Sequence, residues 1–247
     1  MSEIPSLNLN PNVSVDCVVF GFDVSGLKVL IIERDNPDNT EGKNFQLPGD
    51  LIRNSENLDQ AANRVLQELT GLDNLYLTQF SAFGDPSRVK RENDLEWLRS
   101  IRKDPDARVV TIGYFSLIKP DNFKPAANSF ARKAEWVQIK DIPELAFDHN
   151  LILDEALKAL QLKMRSEPVG FELLPAKFTL GQLQNLYETV LEFEMDKRNF
   201  RRKILSTDIL IPLEEKQRGV AHKPAKLYAF NQSAYNHSIS PMFDFQF

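Results

Sequence analysis

The sequence predicts an α+β protein in two parts, a mixed N-terminal domain over residues 1–165 and a winged helix-turn-helix over residues 166–247. Three observations carry this reading. β-rich runs alternate with amphipathic helical patterns through the first part. A linker-like Glu167-Pro168-Val169-Gly170 then interrupts them. Beyond it come two helical patterns and two short strands, and the second helix is basic with only two inward-facing residues.

Taken in order, Val13–Phe22 and Lys28–Glu33 are β-rich runs joined by Asp23-Val24-Ser25-Gly26, which reads as a hairpin. A helix follows over Asn57–Leu69. Its stripe is Leu58, Ala61, Ala62, Val65, Leu66 and Leu69, and Gly71 stands where a left-handed stop belongs. Leu75–Phe83 and Arg108–Ile118 are further strands. The charged stretch Arg88–Asp106 between them reads as a loop with a short helix over Asp94–Lys103. Ala134–Ile139 is a late strand containing Trp136, and Leu151–Met164 a helix with its stripe at Leu151, Ala156, Leu157, Leu160 and Leu162.

In the second part, Thr179 and Gln182 make a capping box that opens a helix to about Glu192, with Leu183, Leu186, Tyr187 and Val190 inward. The basic helix spans Met195–Leu205. Phe200 and Ile204, four apart, share its buried face. Lys197 with Arg201, and Arg198 with Arg202, broaden the exposed side into a cationic surface. Ile209–Leu213 and Ala225–Phe230 are two strands around a loop. Lys216, Arg218, His222, Lys223 and Lys226 make that wing basic as well. A solvated charged helix is the plain alternative for any one such run. A basic helix and a basic wing together, on a chain of net charge −5, point to DNA.

Composition excludes several classes. The 42% hydrophobic and 26% charged residues are those of an ordinary globular protein. Cys17 is the single cysteine, so there is neither a disulfide framework nor a cysteine zinc site. His149, His222 and His237 are scattered. The first residues lack a basic segment followed by an apolar one, and no apolar run approaches the ~20 residues that span a bilayer. The expectation is a cytoplasmic protein with no membrane partner, no metal and no cofactor.

Gly49–Leu72 resembles the signature segment of the Nudix hydrolases. Gly49, Arg64, Leu66, Glu68, Gly71 and Leu72 match, and the preceding Phe45-Gln46-Leu47-Pro48 is similar too. The resemblance implies an α/β/α sandwich. Three of the signature's glutamates, however, fall on Ser55, Val65 and Leu69, leaving Glu68 alone. A hard cation that activates a pyrophosphate needs several oxygen ligands. The reading is therefore a Nudix-like domain without hydrolase activity.

A degenerate Nudix domain joined to a winged helix resembles the Nudix-related transcriptional regulators. The stretches Leu174–Glu188, Asp196–Lys203 and Lys223–Phe230 carry the most specific likeness. The resemblance implies a homodimeric repressor on palindromic double-stranded operator DNA, with the Nudix domain sensing a small-molecule effector. One branch of the family senses ADP-ribose and serves NAD metabolism; another senses a pentose and serves sugar catabolism. The sequence is read as closest to the L-arabinose-responsive members of the second branch, with the sugar releasing the operator.

Arg198, Asn199, Arg201 and Arg202 are the candidates for base reading, since arginine pairs bidentately with guanine and asparagine with adenine. Lys197, Lys203 and the wing cations are assigned to phosphate. Tyr187, Phe200 and Tyr228 are assigned to the core. For the effector, Gln46, Asp50 and Glu68 border the old substrate cleft, with Arg34 at a strand end, Phe83, Asp85 and Arg88 at the start of the flanking loop, and Tyr114 on a nearby strand. Two of these have simpler readings. Glu68 can pair with Arg64 at i, i+4, and Asp85 before Pro86 can shape a turn. Trp97 and Trp136 are read as packing residues.

Overall fold

A 15-residue strand, β1 (Leu9–Asp23), forms the spine of the N-terminal part because nine consecutive residues from Ser14 to Phe22 are buried. The computed structural model describes residues 8–23, 25–34, 45–120, 125–126, 129–167, 173–219, 223–231 and 233. β2 (Gly26–Arg34) turns back beside β1. β3 (Phe45–Gln46), β4 (Gly49–Arg53), β5 (Thr78–Phe83), β6 (Val110–Ile118) and β7 (Ala131–Gln138) complete the sheet. Among the described residues it has seven strands in the order β3-β2-β1-β6-β5, with β4 also on β1 and β7 also on β2. β2 and β7 run antiparallel, Leu30 opposite Trp136.

Helix α1 (Leu58–Thr70) is defined at both ends by its own sequence. Asn57 Oδ1 accepts from Gln60 N and Asn57 N donates to Gln60 Oε1, each at 2.9 Å, a complete capping box. Gly71, at φ 72°, closes it in the left-handed conformation that only glycine adopts without strain. Ala61, Ala62, Val65, Leu66 and Leu69 are buried on the face that packs against β4 and β7. Each large aliphatic among them contributes about 1.5–3 kcal/mol by leaving water. α2 (Glu92–Ile101) supplies Trp97 and Leu98 to a small core with Val89, Ala146 and Phe147.

α3 (His149–Ser166) corrects the predicted stripe. Ile152, Leu153, Ala156, Leu160 and Met164 are buried, whereas Leu151 and Leu162 are 51% and 71% exposed. Three consecutive apolar residues at 151–153 left the phase open, and the i, i+4 series from Ile152 is the one that meets the core. β5 begins at Thr78 instead of Leu75, just beyond Asn74 in a left-handed conformation. β7 begins at Ala131, three residues early, and β8 runs past Leu213 to Lys216. β3 and β4 were not foreseen, being too short for a period-2 pattern to show.

By compactness the chain divides into two units. The first comprises Met1–Gly21, Lys28–Ser116 and Pro120–Ala156; the second comprises Phe22–Leu27, Leu117–Lys119 and Leu157–Phe247. In the second, α4 (Leu180–Leu191) opens with the predicted box. Thr179 Oγ1 accepts from Gln182 N at 3.1 Å and Gln182 Oε1 accepts from Thr179 N at 2.8 Å. α5 (Lys197–Leu205) follows, then the hairpin of β8 (Leu210–Lys216) and β9 (Lys226–Phe230). Helix, turn, helix and hairpin are a winged helix. Among the described residues no helix is long and apolar enough to cross a membrane.

Candidate DNA interface and effector cleft

The turn between α4 and α5 is braced by one side-chain relay. Gln184 Nε2 donates to Glu188 Oε1 at 2.9 Å and to the Met195 carbonyl at 3.0 Å, while Met195 N donates to Glu188 Oε1 at 2.9 Å. Asp196 caps α5 by accepting from Asn199 N at 2.7 Å. Phe200 and Ile204 are fully buried, and the Phe200 ring lies 6.0 Å from that of Tyr187. Both aromatics are core, as predicted, and Tyr228 is half-buried. Lys197, Arg198, Asn199, Arg201 and Arg202 are exposed on α5, and Lys203 is half-exposed.

The wing is pinned where its strands begin. Phe178 and Tyr228 exchange backbone hydrogen bonds of 3.0 and 2.8 Å, tying β9 to the chain just ahead of α4. Lys216 and Lys226 stand opposite one another in the ladder, both exposed. Like charges directly opposite repel, an arrangement that an anionic partner relieves. Arg218 and Lys223 are exposed further along the wing; His222 lies outside the described residues. Lys177, not foreseen, pairs with Glu215 at 2.6 Å on this surface.

In the first unit a polar cleft opens above the middle of the sheet. Gln46, Asp50 and Arg88, three of the eight residues predicted for the effector, line it. Asp16, Trp97, Arg102, Phe147 and His149 also line it and were not foreseen. At its floor Arg88 grips Asp148 through two bonds, Nε to Oδ2 at 2.9 Å and Nη2 to Oδ1 at 2.8 Å, and reaches Asp16 Oδ2 at 3.3 Å. His149 Nδ1 accepts from Leu47 N at 2.9 Å, and its Nε2 lies 3.4 Å from Asp16 Oδ1. Burial lowers the His149 pKa, so the neutral ring is favoured, with its proton on Nε2. Asp50 and Arg102 face one another across the cleft's charge balance: burial raises the carboxyl's pKa and lowers the guanidinium's. Gln46 Oε1, Trp97 Nε1 and Arg102 Nε are buried and find no hydrogen-bond partner among the described residues. A buried polar atom in that state costs about 1–3 kcal/mol, which a polar ligand recovers.

The other five predicted effector residues lie elsewhere. Arg34 supports the wall: its guanidinium sits 4.5 Å over Trp97 and 5.3 Å from Phe147, and Nη2 donates to Asp94 Oδ1 at 3.3 Å. Glu68 is held by Arg53 at 2.7 Å and Arg64 at 2.8 Å. Phe83 packs on Phe80 in the core, ring centres 5.9 Å apart. Asp85 shapes its turn, accepting from Ser87 N at 2.7 Å and Ser87 Oγ at 2.5 Å, and these bonds lower its pKa. Tyr114 is buried and donates to Asp59 Oδ1 at 2.8 Å; burial first, then that bond, raises its pKa. Trp136 is half-buried opposite Leu30, whereas Trp97, read as packing alone, also faces the cleft.

Around the signature segment, Arg64 is the hub. It bonds Glu56 through Nε and Nη2, Glu68 through Nη1 and the Leu51 carbonyl through Nη2 at 3.0 Å. These partners raise its pKa despite partial burial. Counted back from Arg64, the signature's first glutamate falls on Glu56 and not, as expected, on the exposed Ser55. Glu56 and Glu68 are thus both present and both engaged by Arg64, while Val65 and Leu69 are packed inside. Gly49 is required because a Cβ there would run into Asp16 Oδ1. No group of three or more His, Cys, Asp or Glu residues among the described ones is arranged to hold a metal ion.

A cleft of signature-segment origin in one unit and a basic winged helix in the other define a ligand-responsive DNA-binding regulator. Comparison with known proteins agrees with that class. A family model described as the NUDIX domain matches residues 10–160, and one described as the NrtR DNA-binding winged helix domain matches residues 170–230. The "ADPR responsive transcriptional repressor NtrR" of Acinetobacter baylyi is 32% identical over 251 residues, 99% of this chain and 90% of its own. The crystal structure of Shewanella oneidensis NrtR complexed with a 27mer DNA superposes with a TM-score of 0.70 at 28% identity, covering 91% of this chain and 95% of that one. An ADP-ribose pyrophosphatase of Methanocaldococcus jannaschii is 27% identical over 152 residues, 62% of this chain and 76% of its own. The chain belongs to the Nudix-related transcriptional regulators with an NrtR-type winged helix. The expected kinship with L-arabinose-responsive repressors of carbohydrate catabolism is corrected by this result, because the relative spanning the whole chain is described as ADPR responsive.

Proposed function

We propose that this protein is an ADP-ribose-responsive repressor that acts as a homodimer on a palindromic operator of genes for NAD metabolism. The observation that carries the effector is the cleft's composition. Arg88 and Arg102 are cationic, Trp97 and Phe147 are aromatic, and Gln46 and Trp97 hold buried polar atoms without partners. A nucleoside diphosphate sugar offers phosphates to guanidinium groups and a base to the aromatic rings, whereas a neutral pentose offers neither. Gln46, Asp50, Arg88, Asp16, Trp97, Arg102, Phe147 and His149 are the effector set. On DNA, α5 lies in the major groove with Arg198, Asn199 and Arg202 towards bases and Arg201 on their flank. Lys197, Lys203, Lys216, Arg218, His222, Lys223 and Lys226 contact phosphate.

The protein has no hydrolase activity in this reading, since Glu68 is neutralised by Arg53 and Arg64 and the two equivalent positions at Val65 and Leu69 are buried hydrocarbon. ADP-ribose releases the operator by binding better to a state that DNA binds worse; a 100-fold loss of operator affinity needs about 2.7 kcal/mol of that difference. The test is thermal denaturation with ADP-ribose or L-arabinose, followed by operator binding with each. Ligand at about 100 times its Kd adds roughly 2.7 kcal/mol. Stabilisation and operator release by ADP-ribose, with intact ADP-ribose recovered after incubation with Mg²⁺, is the expected result. A response to arabinose alone, or release of AMP, would overturn the reading.

A further inference from the structure

One contact on α5 restricts what the helix can read. Arg202 Nη2 donates to Asn199 Oδ1 at 3.1 Å, across one turn of exposed helix. Side chains on a helix lean towards its N-terminus, so the residue three positions later reaches back to the earlier one. Guanidinium only donates, so the Asn199 atom it meets must be the carbonyl oxygen, and the amide NH₂ is turned away from Arg202. The backbone N–H of Asn199 is already bonded to Asp196. The pair therefore offers N–H donors, the Asn199 carboxamide on one side and the remaining guanidinium hydrogens on the other.

Its direction follows from the buried face. At about 100° per residue, the direction opposite Phe200 and Ile204 falls on Arg202 and Arg198, with Asn199 and Ser206 beside them. Arg201 is turned about 80° from the buried centre, to the flank. Asn199, Arg202, Lys203 and Ser206 line one open groove together with two acidic residues, Glu194, which is exposed, and Asp196, which is engaged in capping α5. In the major groove guanine presents two acceptors, N7 and O6. Adenine presents N7 beside an N6 donor, and reading both requires a free carbonyl oxygen on asparagine.

We propose that Asn199 and Arg202 act as one guanine-reading head, and that the bond between them excludes adenine at one position of each half-site. The proposal rests on the DNA-binding reading above. The experiment is selection of duplexes from a randomised library by the full-length protein, wild type and Arg202→Ala, with Arg202→Lys beside them. The wild type is expected to specify guanine at one position per half-site, about tenfold or more over adenine, and to lose that preference when the guanine is replaced by 7-deazaguanine. Arg202→Ala releases Asn199 Oδ1, and the preference there moves to adenine. Arg202→Lys keeps the charge and the salt dependence but loses the planar fork, so guanine discrimination falls. Retention of the guanine preference in Arg202→Ala overturns the proposal and leaves the regulator intact. Failure of the wild type to enrich any sequence overturns both.

Discussion

Lys226→Gln separates what the wing does for DNA from what it does for the fold. Lys226 faces Lys216 across the β8–β9 ladder, and both are exposed. Removing one charge relieves a cross-strand repulsion of about 0.2–1 kcal/mol, screened further by salt. The free protein should melt about 1–3 °C higher. Operator binding should move the other way. Each phosphate contact contributes about 0.9 to the slope of log K against log salt, so the proposed dimer, losing one contact per chain, loses about 1.8. Between 50 and 200 mM salt the wild type should then fall about 12-fold further in affinity than the variant. Fluorescence anisotropy on a labelled operator, titrated at four salt concentrations, reads the slope directly; a melting curve reads the rest. An unchanged slope would place Lys226 off the phosphates. A lowered melting temperature would mean that its aliphatic stem packs, and that the repulsion argument is wrong.

Three other substitutions probe the interior. Phe200→Ala empties the space against Tyr187 and should cost about 3–5 kcal/mol, abolishing operator binding while ADP-ribose still shifts the melting of the first unit. His149 has a folded-state pKa below its unfolded value, so the unfolded chain takes up the proton first. Stability is then full above about pH 6.5 and declines as pH falls below it; urea midpoints across pH 5 to 8 should show this, and His149→Gln should flatten the decline. Gly49→Ala drives a methyl into Asp16, which in turn holds Arg88, so it should cost about 1–3 kcal/mol and weaken ADP-ribose binding by calorimetry.

Where local chemistry dictates structure, the sequence was easy to read. Thr179 with Gln182 marks a capping box, and Phe200 with Ile204 leaves the basic helix one possible buried face. The likeness from Gly49 to Leu72 likewise marked the helix of the signature segment, though not the short strand β4 ahead of it. The cleft was harder because its members come from β1, β3, β4, α2 and the start of α3, and no spacing rule joins them. Asp16 carried a signal: a carboxylate between Val15 and Cys17, inside a run that is otherwise apolar, must have a buried partner. Phe83, Asp85 and Tyr114 do not line the cleft for the opposite reason, being close to the segment in sequence but directed into the core or into a local turn. The effector branch had no residue signature, since the arginines and aromatics that line the cleft meet only when folding brings them together.

The pairing of β2 with β7 has a consequence for how the chain is made. Lys28 lies opposite Gln138, so one side of β2 waits for a partner 110 residues later. At ordinary rates of synthesis, about 5–20 residues per second, that is roughly 5–20 s on the ribosome. During this interval Val29, Leu30, Ile31 and Ile32, all buried in the finished sheet, have an unpaired edge. Such an edge invites pairing with other nascent chains. Newly made protein is therefore open to such pairing until Gln138 has emerged, and overproduction should yield aggregates seeded by the second strand.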